Sequence, residues 1–101
     1  MKVKKQDEGT FVFPEGRIDI ATAGEFKDTM LSLMEEGHKN IFLDFSEVTA
    51  IDSSGLGKLL MFQKKLKEKG GKLKVVNVKS EYVRKIFSLV HLYKVVDIEG
   101  M

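Results

Sequence analysis

The segment NIFLDF, Asn40 to Phe45, constrains this chain more than any other: it is a short, nearly continuous apolar run with little alternation. That is the pattern of a strand covered on both faces in a parallel sheet. Behind it Leu56, Leu59, Leu60, Gln63 and Leu66 recur at helical spacing and stop at Gly70-Gly71, with lysines in the last turns where they complement the helix dipole. KLKVVNV, Lys72 to Val78, then predicts another strand, and Ser80 is placed to cap a third helix with a buried face of Val83, Ile86, Phe87 and Val90. Strand, helix and strand in alternation imply parallel pairing through right-handed crossovers.

Upstream, Val3 to Gln6 and Thr10 to Phe13 flank a turn at Asp7-Glu8-Gly9 and predict an antiparallel hairpin. Pro14 cannot donate to a ladder, so an edge position or a bulge is expected there. Ala23, Phe26, Met30, Leu33 and Met34 mark the buried face of a first helix; Thr22 with Glu25 three residues on suggests a capping box, and Gly37 suits the exit. The expected order is ββαβαβα, with YKVVDI as an optional short last strand. This is an α/β fold, one domain over residues 1-101, with a mixed, mostly parallel sheet. Ligands and partners of such sheets gather at the carboxyl ends of the strands, where Asp19 and the stretch Asp52 to Gly55 both fall.

Composition removes several classes of function. A chain of 101 residues with 43% hydrophobic content holds one core and no second domain. Without cysteine it has neither disulfides nor thiolate chemistry, and its first ten residues lack a secretory apolar segment, so the cytoplasm is the expected location. Apolar runs fall far short of the roughly 20 residues of a membrane span. The formal charge of +2 gives little global attraction for nucleic acid. The lysines between Lys58 and Lys74 are read as a solvated face whose stems cover the core.

The chemistry-bearing segment is AIDSSGLGKLL, Ala50 to Leu60. Its glycines do not have phosphate-loop spacing, because Leu56 alone separates Gly55 from Gly57, and Leu60 takes the third glycine position of a dinucleotide fingerprint. A nucleophile elbow fails because Ile51 stands two residues before Ser53. His38 and His91 are poor candidates for a base, and a Ser-Lys motif fails by one residue at Lys58. No metal-binding set is evident, and no cofactor is expected. Two readings remain. In one, Asp or Ser is simply a helix N-cap. In the other, Gly55 and Gly57 keep the helix start bare so that a protein partner approaches the backbone and a serine hydroxyl. There a phosphate would meet free N–H groups and the positive helix end, and would add about −1.5 to −2 charges beside Asp52 and near Asp19.

Three segments carry a family resemblance: EGRIDIATAGEFK (Glu15 to Lys27), NIFLDFSEVTAIDSSGLGKLL (Asn40 to Leu60) and GGKLKVVNVKSEYVRKIFSLVHLYKVV (Gly70 to Val96). The chain resembles the STAS-domain anti-sigma factor antagonists of bacteria over nearly its whole length. The resemblance implies a STAS-type fold and partner switching. Unphosphorylated members bind an ATP-dependent serine kinase that doubles as an anti-sigma factor, which frees a sigma factor. Phosphorylation of the first serine of the signature breaks that complex, and a metal-dependent serine phosphatase restores it. Carried over, Ser53 is the phosphoacceptor; Asp19 and Asp52 are the acidic groups beside it; Gly55, Leu56 and Gly57 shape the contact surface; Ser54 is a supporting cap. Arg17 and Ile20 depart from the family pattern. The resemblance implies no enzyme and no catalytic residue. A non-switching STAS interaction module, in a stress-signalling complex or a transport system, is the alternative. A small hydrolase acting through Ser53 is a more distant third.

Overall fold

The turn at Asp7-Glu8 closes a hairpin. In the computed structural model, which describes all residues 1–101, β1 (Lys2–Gln6) and β2 (Gly9–Phe13) pair antiparallel from Lys2↔Phe13 to Gln6↔Gly9. The apolar run folds as β4 (Asn40–Asp44), parallel to β2 on one side and to β6 (Lys72–Val76) on the other. A two-residue β7 (Asp97–Ile98) completes a five-stranded sheet in the order β1-β2-β4-β6-β7. YKVVDI therefore yields only this short strand, preceded by a single 3-10 turn at Leu92–Lys94.

Two strands exceed the expected order. β3 (Glu15–Ile18) and β5 (Glu47–Ile51) pair parallel with each other as a separate ribbon, with a register shift between Gly16 and Arg17. The expectation for Pro14 is corrected by the same feature. β2 lies between β1 and β4, not at an edge, and Pro14 sits buried one residue past its end, where no ladder needs its missing N–H. The irregularity falls two residues later.

Three helices complete the chain: α1 (Ala23–Glu35), α2 (Ser53–Glu68) and α3 (Glu81–Leu89). The buried face of α1 is Ala23, Phe26, Met30, Leu33 and Met34, as its spacing predicts. In α2 the face is rotated: Gly55, Leu59, Phe62 and Leu66 are buried, whereas Leu60 is 45% exposed. In α3 only Val83 and Phe87 are buried, and Val90 stands outside the helix. Phe26 of α1 meets Phe62 of α2 edge-on at 5.1 Å, and Phe45 packs with Phe87 at 5.9 Å; such pairs add to the area they bury. Both longer helices end in Schellman-type exits. Gly37 at φ +96° and Gly70 at φ +78° take the left-handed position for which glycine is suited.

Because β2, β4 and β6 run parallel, as do β3 and β5, the starts of α1, α2 and α3 follow strand ends at one carboxyl edge. That edge positions the site.

Candidate functional site

Three aspartates organise the carboxyl edge, each accepting a backbone N–H from two residues further on. Past β3, Asp19 Oδ1 accepts from the N–H groups of Ala21 at 3.0 Å and Thr22 at 3.2 Å. At the end of β4, Asp44 Oδ1 accepts from Ser46 N–H at 2.9 Å, and its Oδ2 from Asn77 Nδ2 at 2.8 Å. Past β5, Asp52 Oδ1 accepts from Ser54 N–H at 2.9 Å and Gly55 N–H at 3.2 Å. Of these, Asp44 is buried. Burial pushes its carboxyl up, but the hydrogen bonds from Ser46 and Asn77, with Lys79 nearby, outweigh that and hold it below its ordinary value.

The capping expectations are corrected at both helices. Thr22 does stand at the N-cap position of α1, but its side chain makes no capping bond: its hydroxyl donates to Arg17 O at 2.7 Å and accepts from Asp19 N–H at 3.0 Å, while Glu25 lies 3.6 Å from the terminal amine of Met1. Thr22 thus braces the turn before the helix. At α2 the cap is Asp52, not Ser54, which is already the second residue of the helix and donates its N–H. A carboxylate is the stronger acceptor and suits the positive helix end.

With Asp52 as cap, Ser53 is the first residue of α2. It is exposed, and no hydrogen bond within the chain holds its hydroxyl. Asp52 has already taken two of the N–H groups at the helix start, so an anion arriving at Ser53 would share this corner with a carboxylate.

The two glycines separate. Gly57 is exposed, and a Cβ built on it would meet nothing within 4 Å, as a bare surface requires. Gly55 is buried: a Cβ there would lie 2.6 Å from Ile51 Cγ1, 2.8 Å from Ile18 Cγ2 and 3.0 Å from Ile18 O. Its place in a bare surface is therefore corrected. Gly55 lets the first turn of α2 press directly onto the β3–β5 ribbon, which fixes where Asp52 and Ser53 stand. Leu56 is half-buried and packs on the core, so it offers only an edge to solvent.

Asp19 and Asp52 are brought together across the ribbon. Asp52 N–H donates to Ile18 O at 3.1 Å, and both aspartates line a cleft of about 50 Å³ with Arg17, Ile18, Ala50, Ile51 and Tyr82. Arg17 Nε is 3.6 Å from Asp19 Oδ2. Tyr82 was not singled out by sequence reasoning; its signal was an aromatic ring off the Val83 and Phe87 face. Neither histidine belongs here. His38, past the carboxyl end of α1, bonds Thr10 Oγ1 at 2.6 Å, and His91 bonds the Tyr93 hydroxyl at 3.1 Å beyond the end of α3. No helix is long and apolar enough to cross a membrane.

A parallel ribbon leading into an Asp-capped helix beside a mixed five-stranded sheet defines a class of small α/β domain. Residues 1–100 match the STAS domain, and the chain belongs to that family. Among curated proteins it is similar to the anti-sigma-B factor antagonist of Bacillus subtilis, at 29% identity over 97% of this chain and 88% of that protein. Among solved structures, a Thermotoga maritima protein assigned to the anti-sigma factor antagonists is 30% identical, with a TM-score of 0.88 over 96% of this chain and 83% of that one. The antagonist SpoIIAA in its unphosphorylated form shares the fold at 19% identity, with a TM-score of 0.74 over 99% of this chain and 87% of that one. SpoIIAA of Bacillus has also been solved in a phosphorylated form, which matches at a TM-score of 0.72 and 20% identity over 98% of this chain and 90% of that one.

Proposed function

We propose that this chain is an anti-sigma factor antagonist whose unphosphorylated form binds an anti-sigma factor serine kinase and so releases a sigma factor, and that phosphorylation of Ser53 switches this binding off. The observation that carries the reading is the exposed, uncommitted Ser53 hydroxyl at a helix start whose N–H groups Asp52 already occupies. A phosphate added there brings about −1.5 to −2 charges beside an existing carboxylate. It leaves the fold intact, because Ser53 makes no structural bond to lose. Against an acidic or apolar partner face, such charge costs several kcal/mol, and each 1.4 kcal/mol is about tenfold in affinity.

In this reading the protein is a substrate and a ligand, not an enzyme, and needs no cofactor; ATP and metal belong to the kinase and to the serine phosphatase that regenerates the binding form. One domain spanning residues 1-101 acts in the cytoplasm, with Asp19, Asp52, Ser53, Ser54, Leu56 and Gly57 at or beside the contact surface and Gly55 beneath it. The test is to incubate the protein with ATP and an anti-sigma factor serine kinase of the same organism, then map phosphate by mass spectrometry. Incorporation at Ser53 that Ser53→Ala abolishes is expected. Incorporation that persists in Ser53→Ala would overturn the assignment. Ser53→Asp is expected to weaken kinase binding at least about tenfold with little change in melting temperature. Equal affinity would remove the switch and leave a non-switching STAS module.

A further inference from the structure

Ile20 is the most exposed large apolar side chain of the molecule, at 84%. A single exposed aliphatic group ordinarily carries no meaning. Nothing in the fold asks for isoleucine at this position, since it contributes neither to the core cluster nor to its margin.

What sets Ile20 apart is its mount. Asp19 Oδ1 holds the N–H groups of Ala21 and Thr22, and Thr22 Oγ1 ties Asp19 N–H to Arg17 O. The backbone is thus fixed on both sides, and an apolar group held on a fixed turn loses little freedom when a partner covers it.

Its location is the second observation. Asp19 and Asp52 line one cleft, and Ile20 and Ser53 each follow one of them, about 3.8 Å further along the chain. Tyr82, 56% exposed, forms another wall of that cleft, and the Arg17 side chain is 73% exposed. Tyrosine and arginine are, with tryptophan, the side chains enriched among the energetic anchors of protein interfaces. The cleft itself, about 50 Å³, is far below the roughly 300–1,000 Å³ of small-molecule sites. A protein face fits this edge where a metabolite does not.

We propose that Ile20 is the specificity anchor of the docking surface around Ser53, seated in an apolar socket of the kinase with Tyr82 at its rim. The proposal rests on the functional reading above and adds the chemistry of the partner face. An apolar socket beside Ser53 also fits the off state: a phosphate on Ser53 would have to give up water against an apolar rim.

The test is calorimetric titration of a purified anti-sigma factor serine kinase of the same organism, without ATP, against wild type, Ile20→Ser, Ile20→Leu and Ser53→Asp. Ile20→Ser is expected to weaken binding about tenfold to hundredfold, the range for losing a buried aliphatic group. Ile20→Leu keeps affinity within about threefold, and both Ile20 variants melt with wild type because Ile20 supports no core contact. With ATP present, Ile20→Ser raises KM for phosphorylation at unchanged kcat. Ile20→Ser binding as well as wild type, while Ser53→Asp is weakened, would overturn the anchor alone. Absence of wild-type binding would overturn the functional reading and the anchor with it.

Discussion

The starts of α1 and α2 are two solutions to one problem. Each follows a strand of the same parallel ribbon, each is led by an aspartate that takes two backbone N–H groups, and each faces the same cleft. Asp19 does so before the helix, in a turn braced by Thr22, and the chain then spends Ile20 and Ala21 in solvent before α1 begins at Ala23. Asp52 caps its helix directly, and Gly55 pins the first turn of α2 onto Ile18 and Ile51. The first corner presents a side chain on a fixed loop. The second presents the first residue of a helix, Ser53, at a place set by close packing. In the proposed function the first corner would serve recognition and the second modification, although the acidic group at each is the same.

The largest test of this contrast is glycine replacement at the two helix starts. Gly55→Ala places a methyl group against two isoleucines and the Ile18 carbonyl; overpacking of this kind costs about 1–3 kcal/mol. Gly24→Ala, at the second residue of α1 with nothing within 4 Å, is expected to be neutral or stabilising by up to about 1 kcal/mol. Urea unfolding measures both. Equal effects of either sign would mean that the close approach at Gly55 does not set α2.

Cap removal comes next. Asp52→Ala should destabilise by about 1–2 kcal/mol, as for loss of an N-cap, with Asp52→Asn recovering most of the loss because the amide oxygen still accepts. Asp19→Ala removes bonds from a solvent-facing turn and is expected to cost about half as much, within the range for single hydrogen bonds. If the order is reversed, the Asp19 turn is the tighter corner and α2 is held by packing alone.

How much of this was legible in the sequence depends on the range of the interaction concerned. The face of α1, the glycine exits and the parallel core strands are written in local spacing, and they fold as that spacing predicts. β3 and β5 were hidden because EGRI contains a glycine and EVTAI follows NIFLDF with only a short break, so neither has a run long enough to show a period. At DSSG three successive residues are able to cap, and local pattern does not choose among them. The choice is made by the packing of Gly55, which fixes the register of the first turn and leaves Asp52 as cap, Ser53 outward and Ser54 within. The rotated face of α2, with Phe62 inward and Leu60 outward, follows from the same contact. Ser53 could therefore be singled out by resemblance, but its exposure is a tertiary result.

Asp44 extends the comparison to a buried corner. Its folded carboxyl is held below the ordinary value, near 3.9 when unfolded. The charged form is thus favoured by folding, and the contribution is fully present well above that value and lost as pH falls through it toward the folded value. Stability is expected to decline from about pH 5 downward, and Asp44→Asn should flatten that part of the profile in thermal melts. A wild-type slope retained in Asp44→Asn would assign the acid sensitivity to other carboxylates.

Gly57→Ala is the smallest expected change and the one that separates folding from recognition most cleanly. Gly57 is helical, exposed and open on its Cβ side, so alanine there should stabilise α2 by about 0.5–1 kcal/mol, a few degrees in melting temperature for a chain of this size. Nothing in the isolated fold opposes the added methyl group, so any loss of kinase affinity in this variant would report contact with the partner. Kinase affinity should fall while the melting temperature rises, the opposite of Gly55→Ala in stability. If affinity is unchanged in the stabilised variant, the bare turn lies outside the contact, and the docking surface contracts to Ser53 and the Asp19 corner.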